Sequence, residues 1–328
     1  MNTTRFTLLV AGLLAASVAS AAINIDTVFV GDAGNINDST NFGGVSYDYH
    51  IGTAPVTNAQ YTSFLNATAS SDPHGLWNSN MGSSVHGGIS RNGSDGSYSY
   101  SVRTASSGFN NGQSMENKPV NYVSFWDAAR FTNWLTSGNT ETGVYNLGGV
   151  TSPDNSTITR DTTAWANGGV AIASENEWYK AAYYDGNGGY YDYPTQSNTA
   201  PTAENPPGGA NSANYDNVVG TVTDVGAYAS SASYYGTFDQ GGNVWEWNDA
   251  IVTTSTRDLR GGSFFVSDLG LQSSFRNYYA SATYESTDVG FRVSSLEPIP
   301  EPSTYAAILG IMGLAFVLIR RRRGRVEA

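Results

Sequence analysis

The sequence predicts a mixed, loop-rich domain of short helices and short strands, and three observations carry that prediction. Three apolar-periodic segments each open on a Ser or Thr with Gln, Asp or Glu three residues later, the arrangement that closes a helix capping box. Between them lie brief runs in which apolar and polar residues alternate. The remaining stretches are rich in Gly, Asn, Ser and Tyr and poor in charge, yet too aromatic to stay disordered.

The elements follow in order. Strands are expected over Thr27-Val28-Phe29-Val30 and over residues 45–51, both alternating at period two. Thr57 and Gln60 bracket a first helix that turns Tyr61, Phe64 and Leu65 to one side. Residues 79–112 are polar and glycine-rich. Within them Tyr98, Tyr100 and Val102 alternate with serines after Asn92-Gly93 and Asp95-Gly96, which predicts an exposed hairpin. A second helix starts at Ser124, presents Ala128, Phe131, Trp134 and Leu135 inward, and stops near Gly138. A third runs from Ser174, boxed by Glu177, to about Tyr184. Residues 139–169 and 185–209 read as loop insertions, and no Pro-rich or charged linker divides the chain into two cores.

Both ends read as targeting segments. Arg5, an apolar core over residues 6–16 and Ala19-Ser20-Ala21 make residues 1–21 a signal peptide. At the other end Pro300, Glu301 and Pro302 precede an apolar run ending at Ile319 and the arginines 320–323 and 325, a stop-transfer pattern. Counted from Ser303, a hydrophobic helix over 303–319 spans about 26 Å, enough for a thin hydrocarbon core. Residues 299–328 resemble the PEP-CTERM sorting tail. That resemblance implies an exosortase-type transpeptidase as partner, a transient inner-membrane anchor, and delivery to the cell surface or extracellular matrix. An ordinary single-pass anchor is the alternative. The ectodomain is then residues 22–298.

Setting aside the basic and acidic residues of the two ends, the ectodomain keeps 10 of the 16 Lys and Arg and 26 of the 28 Asp and Glu. That balance argues against nucleic acid and anionic lipid as partners and suits divalent cations. There is no cysteine, so an exported chain has neither disulfides nor thiol chemistry.

Six segments give the sequence its family likeness: Pro55-Val56-Thr57-Asn58-Ala59-Gln60-Tyr61; residues 119–129, from Pro119-Val120-Asn121 through Phe125-Trp126-Asp127; Ser174-Glu175-Asn176-Glu177-Trp178; Gly241-Gly242-Asn243-Val244-Trp245-Glu246-Trp247; Arg260-Gly261-Gly262-Ser263-Phe264; and Gly290-Phe291-Arg292-Val293. In that order they resemble the formylglycine-generating enzymes, or sulfatase-modifying factors, from about residue 45 to 293. The resemblance implies an α+β fold, a loop-rich variant of the C-type lectin fold, followed here by the C-terminal hydrophobic helix.

Trp245 and Trp247 read as core anchors, and a buried Glu246 beside them needs a counter-charge. The resemblance implies calcium, held by Asp239, Gly242, Val244 and Glu246. An arginine such as Arg260 or Arg292 would meet the same need. A second calcium site is implied at Asn214 and Tyr215, although its acidic ligand does not align, with Asp216 and Asp224 only nearby.

The family's oxidase chemistry uses a pair of active-site cysteines on copper, and this chain has none. No catalytic residue is assigned. His50, His74 and His86 have no metal-motif spacing and read as loop or surface residues. Glu175 and Glu177 could serve as a carboxylate pair, but the position of Glu177 is that of a helix cap. The leading expectation is a non-catalytic surface protein that binds extracellular polysaccharide through Trp77, Tyr98, Tyr100, Tyr190, Tyr191 and Tyr193. The alternatives are a divergent metal-dependent oxidase and a scaffold that contacts envelope proteins.

Overall fold

The structure is a computed structural model, and it describes residues 23–106, 110–150, 158–276 and 278–299. The expected signal peptide, the motif Pro300-Glu301-Pro302 and the expected hydrophobic helix lie outside these residues. Among the described residues no helix is long and apolar enough to cross a membrane.

All three predicted helices form, because their start signals are local. Helix α1 (Asn58–Thr68) is capped by Thr57, α3 (Phe125–Ser137) by Ser124, and each cap is closed reciprocally by Gln60 or Asp127. Gly138 ends α3 in the left-handed conformation a glycine adopts at least cost. Helix α5 (Glu175–Tyr183) has the same box from Ser174 and Glu177. Each box stabilises its helix by about 1 kcal/mol. Two single-turn helices, α2 (Ser79–Ser83) and α4 (Thr162–Ala166), fall in stretches read as loop. Asn78 and Asp161 cap them, a signal too short to separate from a turn.

Strands β1 (Thr27–Val30) and β2 (Tyr49–Gly52) pair in antiparallel register. The second is shorter than the alternation predicted, because loop partners take the backbone at Val45. Its carbonyl accepts from Gly34 N at 2.7 Å and its N–H donates to Asn35 Oδ1 at 3.2 Å. With β5 (Ala171–Ile172) and β12 (Val293–Ser295) they make a sheet in the order β1-β2-β12-β5. A second sheet runs β10-β9-β8-β11, from β8 (Trp245–Thr253), β9 (Thr256–Arg260), β10 (Tyr279–Ser281) and β11 (Val289–Phe291). β11 lies parallel to β8, with Phe291 opposite Trp247.

The predicted hairpin exists as β3 (Ile89–Asn92) and β4 (Ser99–Val102), but it is not an exposed one. Its serines face water, whereas Tyr100 is 5% exposed and its hydroxyl donates to Ala69 O beside α1. Tyr61, Phe64, Phe131, Trp134 and Phe291 meet in edge-to-face, tilted and stacked pairs, at centroid separations of 5.3 to 6.2 Å, and fasten α1 and α3 to β11.

Candidate functional site

The motif segments, scattered over more than 230 residues of sequence, converge on the start of β8. Thr57 bridges Pro119, Val120 N donates to Val56 O, and Val56 N donates to Phe291 O. Trp247 Nε1 donates to Val123 O at 2.9 Å, and Gly242 N donates to Gly261 O at 2.8 Å. Trp178 Nε1 reaches Glu246 Oε2 at 2.7 Å. The turn that delivers β8 needs the residues it has, since Asp239, Gly242 and Asn243 all take positive φ. Asp and Asn tolerate that conformation better than other side chains.

At the centre Glu246 and Arg292 form a two-toothed pair, both side chains 0% exposed. Arg292 Nε lies 2.5 Å from Oε2 and Nη2 lies 2.6 Å from Oε1. The remaining guanidinium donors reach Gly52 O at 3.0 Å and Phe238 O at 2.8 Å. Of the two arginines open to Glu246 from sequence, topology selects Arg292. Arg260 instead grips Glu175, which Arg276 also holds at 2.8 and 3.0 Å.

The other carboxylates of the motifs are also committed. Glu177 accepts from Arg160 at 2.8 and 3.1 Å, Tyr47 at 2.7 Å, Ser174 N at 2.8 Å and Ser294 at 2.8 Å. Burial pushes its pKa up, but Arg160 and these donors win and hold it at about 2. Outside the motifs, Asp258 is buried beside Glu175 with Arg260 at 3.3 Å, and burial and the Glu175 charge push it up to about 7.

The two residue sets to which the resemblance assigns calcium differ in fit. In the first, both oxygens of Glu246 are taken by Arg292 and Trp178, and Asp239 Oδ2 accepts from Gly226 N at 2.7 Å. That set does not fit a metal ion. In the second, Asn214 Oδ1 is buried with no hydrogen-bond partner, and Thr223 Oγ1 close by is in the same condition. Oxygens of this kind suit a hard cation, so Asn214 fits the group; the Tyr215 carbonyl accepts from Val218 N at 3.3 Å and keeps a second lone pair for it. Among the described residues no three His, Asp or Glu side chains gather as metal ligands.

The histidines lie apart. His50 belongs to β2 rather than a loop and packs on Phe29 at 5.5 Å. His74 meets Glu141 at 3.2 Å, and His86 packs against Phe264 and Phe265 with Nδ1 2.9 Å from Thr221 Oγ1.

The six aromatics expected to bind sugar do not form one surface. Tyr100 and Tyr193 are buried in different clusters. Trp77 and Tyr98 clasp Arg91 between them, each ring centroid 4.2 Å from its guanidinium carbon. Tyr190 packs on Tyr179 and Tyr184, and Tyr191 is half-buried. The outward-facing tyrosines are others: Tyr234 at 47%, Tyr279 at 51% and Tyr284 at 37% exposed. Tyr284 meets Tyr278 hydroxyl to hydroxyl at 3.3 Å, beside edge strand β10. Nothing in the local sequence marks these as outward: Tyr279 sits on edge strand β10, whereas Tyr284 follows that strand and Tyr234 lies in a separate loop.

The sequence profile of the sulfatase-modifying factor enzyme 1-like domain matches residues 40–295, which takes in all six motif segments. The chain belongs to the sulfatase-modifying factor family. Solved structures show the same fold. CarF aligns at 21% identity over 84% of this chain and 99% of its own, with a TM-score of 0.52. The Treponema denticola variable protein 1 aligns at 19% identity over 85% and 97%, with a TM-score of 0.55. A comparison with curated proteins found no match. Within the family fold this sulfatase-modifying factor domain keeps the tryptophans and carboxylates of the motifs and uses them as internal pairs.

Proposed function

We propose that this is an exported, non-catalytic member of the family that binds neutral extracellular polysaccharide at the cell surface. One observation carries the reading: the motif carboxylates that could act on a substrate, Glu175, Glu177 and Glu246, are each held by arginines inside the fold. An acid or base must be free to reach its substrate, and these are not.

The ligand class follows from where the charges sit. All ten ectodomain cations are engaged. Lys118, Arg130, Arg257, Arg260 and Arg292 are at most 1% exposed. Lys180 is buried against Asp32 O, and Arg103 donates to three backbone carbonyls. Arg160 is paired with Glu177, Arg276 with Glu175, and Arg91 lies between two rings beside Asp72. The outside is left to carboxylates such as Asp26, Asp48, Asp95, Glu116, Asp161 and Asp216. An acidic polymer would meet like charge and no free cation, whereas a neutral sugar chain needs only ring faces and hydrogen bonds. Tyr279 and Tyr284 offer those faces.

Residues 1–21 and 299–328 complete the reading as signal peptide and sorting tail, with an exosortase-type transpeptidase as partner. Calcium enters at Asn214 and Tyr215. Retention of the protein on immobilised neutral, acidic and amino-sugar polysaccharides tests the proposal. Retention on the neutral polymer that Y279A/Y284A loses supports it; retention only on envelope protein replaces it with a scaffold role.

A further inference from the structure

We propose that Arg292 serves as the built-in cation of this domain, its guanidinium filling the place that a divalent metal would need at Glu246. A carboxylate and backbone carbonyls are the donors a hard cation collects. Arg292 collects the same kinds: both oxygens of Glu246 at 2.5 and 2.6 Å, Gly52 O at 3.0 Å and Phe238 O at 2.8 Å. Phe238 directly precedes Asp239, so the guanidinium reaches the turn that carries the expected metal ligands.

A metal ion at Glu246 would have to displace Arg292 from a site that is 0% exposed. The displaced guanidinium would lose its counter-charge without gaining water, a cost that removal of one buried partner always carries. The pair also joins three separate parts of the chain: Gly52 of β2, the turn at residue 238, and the start of β8. An arginine does this permanently, whereas a metal does it only while the medium supplies one.

Terbium titration of the full chain tests it, because Trp178 donates to Glu246 and Trp245 and Trp247 flank it, so a lanthanide bound there gives tryptophan-sensitised emission. Wild type and E246Q are expected to give the same emission. R292M is expected to gain a signal that R292M/E246Q loses. A wild-type signal that E246Q removes would overturn the inference, as would an R292M protein that folds and gains nothing. If R292M does not fold, melting of the wild type in calcium and in excess chelator decides. The calcium effect on the melting temperature is expected to be the same in wild type and E246Q, since any ion at Asn214 leaves Glu246 untouched, and a calcium-dependent rise abolished by E246Q would overturn it.

Discussion

Glu177 and Arg160 face each other with both carboxylate oxygens engaged, at 2.8 and 3.1 Å, and the same carboxylate caps α5 through Ser174. One side chain thus starts a helix and neutralises a buried cation. Its pKa is depressed to about 2 from an unfolded value of 4.5. For a depressed carboxylate, the stabilisation is complete above the unfolded pKa and is lost as pH falls through the folded one. The stability against unfolding is therefore expected to fall between about pH 4.5 and 2, by roughly 3 kcal/mol from this group. E177Q should lose stability at neutral pH and flatten that acid limb, and urea titrations at stepped pH check both.

Glu285 supplies the opposite slope. Burial and the adjacent Asp127 carboxylate, with which it shares a hydrogen bond, push its pKa up to about 8. Asn78 donates to Glu285, Asp72 lies near it, and Arg130 acts on Asp127. A raised carboxyl stabilises the fold below its unfolded pKa of 4.5, and that contribution is lost as pH rises toward 8. E285Q keeps a donor toward Asp127 at every pH, so the same titration should show less decline between pH 5 and 8 than wild type.

Gly242 shows how tightly the turn before β8 is built. Its φ is +87°, and a Cβ there would lie 2.3 Å from Asn214 O. G242A combines left-handed strain with a backbone clash and is expected to cost about 3 kcal/mol, measured as a drop in the urea midpoint with unchanged slope. A variant as stable as wild type would mean that the turn can relax.

The sequence was legible where the cause was local. Thr57, Ser124 and Ser174 announced their helices because a cap and its partner sit three residues apart. Trp245 and Trp247 announced a core. What stayed hidden depends on contacts between distant segments. Arg260 and Arg292 look alike beside Glu246 until the parallel register of β11 on β8 sets Phe291 opposite Trp247. Tyr98, Tyr100 and Val102 alternate correctly with serines, yet only the packing of β4 against α1 shows that the tyrosine face is the inner one. Tyr279 and Tyr284 lie in a segment with no pattern, one on edge strand β10 and the other in the turn that follows it.

Salt dependence of polysaccharide binding separates ring stacking from charge attraction. The ectodomain, residues 22–298, is titrated with neutral, acidic and amino-sugar polymers at low and high ionic strength, alongside Y279A/Y284A, so that the arginines after residue 319 take no part. The account predicts binding to the neutral polymer that salt barely changes and that the double substitution removes, because ring stacking is screened little by ions. Binding to the acidic polymer that weakens steeply with salt would require a free cationic surface and would contradict it.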